Sequence, residues 1–186
     1  MKTEFKIQAN NLDDTSKIAT AISKAMITAK GGLICLYGDI GSGKTTLTKE
    51  IAKNLKIKEK VTSPSFVILN EYHSGIISLY HFDLYRLEKE GLETIIDEIV
   101  EYTSGENSLA IVEWAEFSFE QLPKDRLEVK IEYVDDSSRI FYFKSHGDKN
   151  SIILENIIKD ALYEYPAPYN SSKALINGRI TKGTGS

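Results

Sequence analysis

The chain has 186 residues, 41% of them hydrophobic, which fits one globular domain and excludes a disordered or fibrous protein. Its formal net charge of −4 at pH 7 excludes a broadly basic surface, so we expect no DNA partner and RNA only through another protein. No apolar run approaches about 20 residues, which excludes a membrane-spanning helix.

The first two predicted elements are a strand and a helix. Residues 4–9 favour a short strand, and the apolar positions that follow recur at helical spacing. Either Asp13 or Asp14 is expected to cap this helix, and Gly31 and Gly32 are expected to end it. The apolar positions that define its buried face are Ile18, Ile22, Ala25, Met26 and Ala29.

The apolar run LICLY, residues 33–37, predicts a fully buried strand. It contains Cys35, the single cysteine of the chain, which rules out an internal disulfide and indicates a core thiol in a reducing compartment. The first residues, MKTEFKIQANN, lack the apolar stretch of a secretory signal. We therefore expect a cytoplasmic protein.

A phosphate-binding loop follows this strand. Gly38-x4-Gly43-Lys44-Thr45 matches the pattern G-x-x-x-x-G-K-[ST] in full and precedes a helix predicted over 45–55. Glycines let backbone N–H groups converge on phosphate oxygens, and the helix N-terminus adds a positive dipole. Lys44 brings charge to the β and γ phosphates, and Thr45 offers a hydroxyl to Mg²⁺. The residues expected to bind the nucleotide here are Gly38, Asp39, Ile40, Gly41, Ser42, Gly43, Lys44, Thr45 and Thr46.

The segment VTSPSF is predicted to be a loop, because Pro64 breaks any helix. In P-loop switch proteins a loop in this place reaches the γ-phosphate through a hydroxyl, which makes Thr62 and Ser63 candidates. A plain proline-bearing connector is an equal alternative. After it, FVILNEY (66–72) and IISLYHF (76–82) predict a hairpin.

Two acidic residues stand at the ends of predicted strands. Asp83 ends the hairpin, and Glu113 follows the buried strand LAIV. Ligands bind at the carboxyl edge of such sheets, so either acid could hold Mg²⁺ beside Thr45. The alternatives are that Asp83 caps the next helix and that Glu113 is a rim residue. His81 is expected to be a hydrogen-bonded sheet residue, and Trp114 is more typical of core packing.

The remaining elements complete the fold. Residues 84–102 favour a helix with a break at Gly91, 127–134 and 139–145 favour a second hairpin, and 151–163 favour a last helix. Helices between buried strands, with two hairpins, predict an α/β fold. We expect a P-loop NTPase-like three-layer sandwich whose mixed sheet has a parallel centre and antiparallel additions.

Four segments in this order resemble the TsaE family, formerly YjeE. They are GDIGSGKTTLTKEIAKNL, VTSPSFVILNEY, LYHFDLYRLE and IVEWAE. The resemblance covers about residues 4–160. We expect one ATPase domain over residues 1–163 and a mostly disordered tail over 164–186.

The resemblance implies an ATPase of tRNA threonylcarbamoyladenosine synthesis, which modifies the adenosine next to the anticodon. It implies ATP and Mg²⁺ as cofactors and TsaD and TsaB as protein partners, which handle the tRNA. The ATPase would allow that complex to turn over without transferring the carbamoyl group itself.

The resemblance also implies roles for individual residues of this sequence. Lys44, Asp83 and Glu113 would serve catalysis, and Thr45, Glu113 and Asp83 would hold Mg²⁺ or order its water. The further implied nucleotide contacts are Thr62 in the switch-like loop, Trp114 beside Glu113, and Asp14 and Ser137 near the base and sugar.

The sequence pattern places no arginine at the site, and Arg86, which directly follows HFDLY, is the arginine nearest to a site motif. We therefore expect a partner to supply the missing charge and to accelerate a slow intrinsic hydrolysis. Two other functions stay open. One is a small-molecule or nucleoside kinase, although no arginine cluster marks a lid. The other is a nucleotide-controlled binding module.

Overall fold

A computed structural model describes residues 3–87, 92–118 and 121–164 of the chain. These residues form seven strands, four α-helices and a short 3₁₀ helix, Ala115–Ser118. The strands are β1 (Glu4–Ala9), β2 (Gly31–Tyr37), β3 (Leu69–Tyr72), β4 (Ser78–Asp83), β5 (Ser108–Glu113), β6 (Arg126–Tyr133) and β7 (Arg139–His146). The helices are α1 (Leu12–Thr28), α2 (Lys44–Asn54), α3 (Leu92–Ser104) and α4 (Asp148–Glu164).

The strands form one sheet in the order β1-β7-β6-β2-β5-β4-β3. Its central neighbours β6, β2, β5 and β4 are parallel. The pairs β1–β7, β6–β7 and β3–β4 are antiparallel. The predicted α/β fold with a parallel centre is confirmed, and β3–β4 and β6–β7 are the two predicted hairpins.

Helices cover both faces of the parallel centre. Helices α1, α2 and α4 pack on one face, where Ile34 and Leu36 of β2 lie, and α3 packs on the other, where Leu33 and Cys35 lie. Because β2 is buried on both faces, it is apolar throughout, as parallel central strands are. Cys35 is fully buried, so the prediction of a core cysteine is confirmed, and burial raises the pKa of its thiol.

Helix α2 is held on the sheet by Leu47 and Ile51, which are both fully buried. Each such side chain contributes about 1.5–3 kcal/mol through burial. This packing fixes the first turn of α2, which carries Lys44 and Thr45, relative to the ends of the strands.

The cap and the end of α1 differ from prediction. Asn11 caps the helix, and its side chain accepts a hydrogen bond from the Asp14 N–H at 2.9 Å. Asp14 instead accepts from the Asn10 N–H at 3.0 Å. The helix ends at Thr28, and Gly31 opens β2, where a Cβ would lie 2.0 Å from the Ser108 carbonyl oxygen.

Two other predicted boundaries are also wrong. The strand expected from residue 66 begins at Leu69, because the N–H groups of Val67 and Ile68 bond the Pro64 carbonyl in a turn. Residues 84–87 are not helical as expected, since the Leu84 carbonyl accepts a turn hydrogen bond from the Leu87 N–H, and the structure describes α3 from Leu92. The predicted break at Gly91 lies outside the described residues. Local backbone hydrogen bonds replace the expected regular structure in both places.

The predicted tail, residues 164–186, lies outside the described residues except for Glu164, so the domain boundary stays a prediction. Among the residues that the structure describes, no helix is both long and apolar enough to cross a membrane.

Candidate nucleotide-binding and hydrolysis site

The site lies where the parallel strands end. Glu113 is the last residue of β5 and pairs in register with Asp83, the last residue of β4. Leu36 of β2 pairs with Glu113 from the other side, and the phosphate-binding loop starts one residue after β2 ends. Since parallel strands share one carboxyl edge, the two acids and the loop meet there as predicted.

The loop turns sharply and leads into α2. Gly43 caps the helix with φ 114°, and Gly38 has φ 133°. A Cβ on Gly38 would lie 2.4 Å from the Ile131 carbonyl oxygen, so only glycine fits there. The turn directs the N-terminal end of α2, with its free N–H groups and positive dipole, toward the cleft.

Lys44 is the cation of this cleft. Its ammonium donates to the carbonyl oxygens of Gly38 and of Asp39, the latter at 3.0 Å, and lies 3.7 Å from the centre of the Trp114 ring. Burial lowers the pKa of Lys44, and the carboxylates of Glu116 and Glu113 partly oppose that effect. Within the part of the chain that the structure describes, the ammonium forms no close ion pair, which leaves its charge available to a phosphate.

Trp114 reaches Lys44 through an unusual backbone conformation. Its φ is 60°, in the left-handed region that residues other than glycine rarely adopt. This conformation follows directly after β5 and turns the indole ring toward Lys44 and toward Tyr85, whose ring centre is 4.9 Å away. The predicted core packing of Trp114 is confirmed in part, because the ring lines the cleft and also packs against the apolar core on the α3 face of the sheet.

Glu113 and Thr45 form the part of the site suited to a metal ion. The Thr45 hydroxyl donates to Oε2 of Glu113 at 2.8 Å, and Glu113 is 2% exposed. Carboxylate and hydroxyl oxygens are the ligand types that Mg²⁺ takes from proteins, with phosphate and water oxygens completing its shell. This donor set fits Mg²⁺, and within the described residues no cluster of three or more His, Cys, Asp or Glu offers an all-protein site.

Asp83 is held by the loop that follows α2. Its Oδ2 accepts from the hydroxyls of Ser63 at 2.7 Å and Ser65 at 2.6 Å, and its Oδ1 accepts from the Tyr85 N–H at 3.0 Å. Asp83 is nearly fully buried. The loop thus closes over the Asp83 carboxylate through two hydroxyl groups. One of them belongs to Ser63, which the sequence made a candidate for reaching the γ-phosphate.

Two clefts flank the phosphate-binding loop and share Gly41, Gly43 and Thr46. The first, of about 370 Å³, is lined by Lys44, Thr45, Ser63, Ser65, Asp83, Tyr85, Glu113 and Trp114, together with Ile40. The second, of about 380 Å³, is lined on its far side by Asn11, Leu12, Thr15, Ser42, Asp136, Ser137, Arg139 and Phe141. A nucleotide lying across the loop would place its phosphates in the first and its nucleoside in the second.

The predicted residues fall at different distances from these clefts. Ser137 lines the second cleft, whereas buried Asp14 bonds the Asn10 N–H, and Asn11 takes the place beside the cleft. The side chain of Thr62 is exposed, and its N–H donates to the Tyr72 hydroxyl at 3.3 Å. Asp39 contributes its carbonyl oxygen to Lys44.

Three residues that sequence analysis did not place at the site contact it. Ser65 bonds Asp83, and buried His81 lies with its Nε2 2.8 Å from Glu113 Oε1. Arg139 donates from Nε to the Ser42 carbonyl at 2.9 Å, so an arginine does reach the phosphate-binding loop. Its guanidinium also bonds the carbonyls of Asp135 and Ser138. No local sequence signal could have placed Arg139, because it comes from β7.

Comparisons with known proteins point to one family. The family model "Threonylcarbamoyl adenosine biosynthesis protein TsaE" matches residues 9–141. The chain is similar to the tRNA threonylcarbamoyladenosine biosynthesis protein TsaE of Bacillus subtilis, with 36% identity over 83% of this chain and 94% of the relative. The Nostoc protein of the same name is 40% identical over 59% of this chain and 67% of its own length. The crystal structure of Bacillus subtilis YdiB matches with a TM-score of 0.68 and 33% identity, over 86% of this chain and 97% of that one.

Proposed function

Because this chain belongs to the TsaE family and so has a role in tRNA threonylcarbamoyladenosine biosynthesis, we propose that it works there as a Mg²⁺-dependent ATP hydrolase stimulated by partner proteins. The family is an ATPase family of this pathway, and nucleotide use follows from membership. What we propose beyond membership is the requirement for Mg²⁺, the residues that act in hydrolysis and the stimulation by partner proteins.

One observation supports the proposal above the others. The Lys44 ammonium, the Thr45 hydroxyl and the Glu113 carboxylate meet in a single cleft at the mouth of the phosphate-binding loop. A cation, a pair of metal-ligating oxygens and a helix N-terminus are the parts that phosphoryl transfer needs, because its catalysis rests on positioning and charge neutralisation.

The proposed reaction is hydrolysis of the γ-phosphate by water. The water oxygen forms a bond to the γ-phosphorus, the bond to the β–γ bridging oxygen breaks, and ADP leaves with the electron pair. Lys44 and the loop N–H groups stabilise the phosphate oxygens. Asp83 accepts a hydrogen bond from the attacking water and so orients it. The proton that the water loses passes to an oxygen of the γ-phosphate, which leaves as inorganic phosphate. Mg²⁺, held by Thr45 and Glu113, would neutralise charge on the β and γ phosphates.

The surface around the cleft supports a partner-dependent cycle. Four large exposed apolar side chains form what we call the apolar rim: Ile40 (76%) and Tyr85 (45%) line the cleft, and Phe66 (82%) and Val67 (64%) follow Ser65 of its lining. Exposed apolar groups clustered beside a catalytic cleft are typical of a surface that another protein covers. We propose TsaD and TsaB as those proteins, with tRNA reached through them and the cytoplasm as the place of action.

Phosphate release from ATP tests the hydrolase proposal. Glu113→Gln is expected to lower the rate by about 100-fold or more, and Lys44→Ala to abolish it. Chelation of Mg²⁺ is expected to stop hydrolysis by the unaltered protein. Glu71→Gln removes an exposed carboxylate of β3 outside the cleft and serves as the matched control.

Two outcomes would contradict the hydrolase proposal. One is a Glu113→Gln protein that hydrolyses ATP at the wild-type rate, since Glu113 would then hold nothing that the reaction needs. The other is transfer of the γ-phosphate to an added nucleoside or metabolite in preference to water, which would identify a kinase.

A further inference from the structure

We infer that His81 is a positioning residue, which holds one oxygen of Glu113 so that the other faces Thr45 at the metal position. The inference rests on the proposed function and adds to it a residue outside the cleft lining. The hydrogen bonds around the Glu113 carboxylate are the observation that supports this inference.

The two oxygens of Glu113 have different partners. Oε1 lies 2.8 Å from the His81 Nε2 and accepts from the Thr48 hydroxyl at 3.4 Å. Oε2 accepts from the Thr45 hydroxyl at 2.8 Å. A carboxylate only accepts hydrogen bonds, so the His81 Nε2 carries the hydrogen and donates it. One oxygen is therefore anchored in the protein, and the other faces the cleft.

The place of His81 in β4 accounts for this contact. Successive side chains of a strand alternate between its faces, so Leu79, His81 and Asp83 share one face of β4. Leu79 lies in the apolar core beneath α2, and Asp83 lies at the cleft. His81 stands between them and reaches across to Glu113 at the end of the neighbouring strand.

A structural role alone explains His81 poorly. The residue is 0% exposed, and among the described residues its Nδ1 has no hydrogen-bond partner. A buried polar atom without a partner destabilises a fold, and an apolar side chain at this core position would avoid it. What an apolar side chain cannot supply is the hydrogen bond to Glu113, which sets the orientation of the carboxylate.

The orientation of Glu113 should govern how tightly the site holds a metal ion. Groups that hydrogen-bond a metal-binding carboxylate from behind typically change metal affinity by about 10- to 100-fold when they are removed. Without the His81 donor, the carboxylate can rotate, and both oxygens compete for Thr45 and Thr48. We expect nucleotide binding without metal to change little, because His81 does not line the phosphate cleft.

Calorimetry with ADP tests the inference, with each protein measured once in Mg²⁺ and once in EDTA. For His81→Leu, the gain in ADP affinity that Mg²⁺ confers should fall about tenfold or more, while the affinity in EDTA stays within about twofold. His81→Gln places an amide donor near the Nε2 position and should restore most of the gain. His81→Asn places its donor near the Nδ1 position and should not, and this pair keeps the test open if His81→Leu fails to fold.

The outcomes separate the inference from the proposed function. Equal Mg²⁺-dependent gains in His81→Leu and the wild type, or in His81→Asn and His81→Gln, would overturn the positioning role. A loss of affinity of the same size in Mg²⁺ and in EDTA would overturn it too, because that loss reports a general disturbance. If the wild type itself bound ADP without any gain from Mg²⁺, the proposed Mg²⁺-dependent function would fail, and the inference with it.

Discussion

Lys44 keeps its ammonium group against its own loop and over the Trp114 ring. Cation–π contact and carbonyl dipoles support a charge that burial disfavours, and they hold it where a phosphate would arrive. Trp114 makes its contact at φ 60°, a conformation that costs a residue with a Cβ about 1–2 kcal/mol. Strain of this kind next to Glu113 is typical of functional sites, which supports a role for Trp114 in shaping the cleft.

Two glycines of the same loop should differ in their tolerance of a methyl group. Gly38→Ala meets both a positive φ and the Ile131 carbonyl, and should lower the free energy of unfolding by about 2–5 kcal/mol. Gly41→Ala has the positive φ alone, with nothing within 4 Å of the added carbon, and should cost about 1–2 kcal/mol. Urea unfolding followed by Trp114 fluorescence measures both values. If both variants lost the same free energy of unfolding, the close approach of the Ile131 carbonyl to Gly38 would not add to the cost of the positive φ.

The loop between α2 and β3 is the element whose conformation most directly affects the site. The Ser63 and Ser65 hydroxyls of this loop donate to Asp83, and the Pro64 carbonyl accepts hydrogen bonds from the N–H groups of Val67 and Ile68. Ile68 closes the turn with φ 71°. The Thr62 N–H, the Thr62 carbonyl and the Ile68 carbonyl also bond the sheet, at Tyr72, Asn70 and the Asp83 N–H. The two serine bonds differ from these because they go to a carboxylate, which makes them the stronger ties of the loop.

Removing both hydroxyls should loosen the loop without unfolding the domain. A hydrogen bond to a charged group is worth about 1.5–3 kcal/mol, so the loss of two in the Ser63→Ala, Ser65→Ala double variant should make the amide hydrogens of Val67 and Ile68 exchange at least about a hundredfold faster. Hydrogen exchange measured by mass spectrometry or NMR checks this. Ser104→Ala, which removes an exposed hydroxyl at the end of α3, is the control and should leave the loop unchanged. Unchanged exchange in the double variant would show that the loop is ordered by other contacts.

Sequence patterns predicted the elements that carry strong local signals. The apolar runs of β2 and β5 predicted the parallel centre, and its shared edge predicted that Asp83 and Glu113 would lie near the loop. The start of β3 was wrong because the Pro64 turn takes the backbone hydrogen bonds that a strand would need. Strand propensity in residues 66–68 does not reveal that competition.

The missed site contacts are those made across long separations in sequence. Ser65 and Asp83 are 18 residues apart, His81 and Glu113 are 32 apart, and Arg139 and Ser42 are 97 apart. Each of these contacts depends on which strands are neighbours in the sheet and on where a particular side chain points. The periodicity of the sequence does not reveal either condition. A histidine in a strand is compatible with many roles until its partner is known.

At the scale of the whole molecule, different elements form the two clefts that flank the phosphate-binding loop. The parallel centre of the sheet and α2 fix the phosphate cleft, while α1 and the β6–β7 hairpin border the second cleft on the other side. Arg139 of the hairpin bonds three backbone carbonyls of its own turn and of the loop, so it braces the loop. We expect a partner to bring a second positive charge, in addition to Lys44, to the transition state, and the apolar rim offers a place for that partner to bind.

Whether partners stimulate the ATPase can be tested by measuring the rate of ATP hydrolysis for the purified protein alone and then with TsaD and TsaB from the same organism. We expect slow hydrolysis alone and a rise of at least about tenfold in the mixture, which Lys44→Ala should lose. A Phe66→Ala, Val67→Ala variant should keep the rate of the isolated protein and lose the rise, because both side chains are exposed and neither lines the phosphate cleft. Equal rates with and without the partners would contradict a partner-stimulated ATPase.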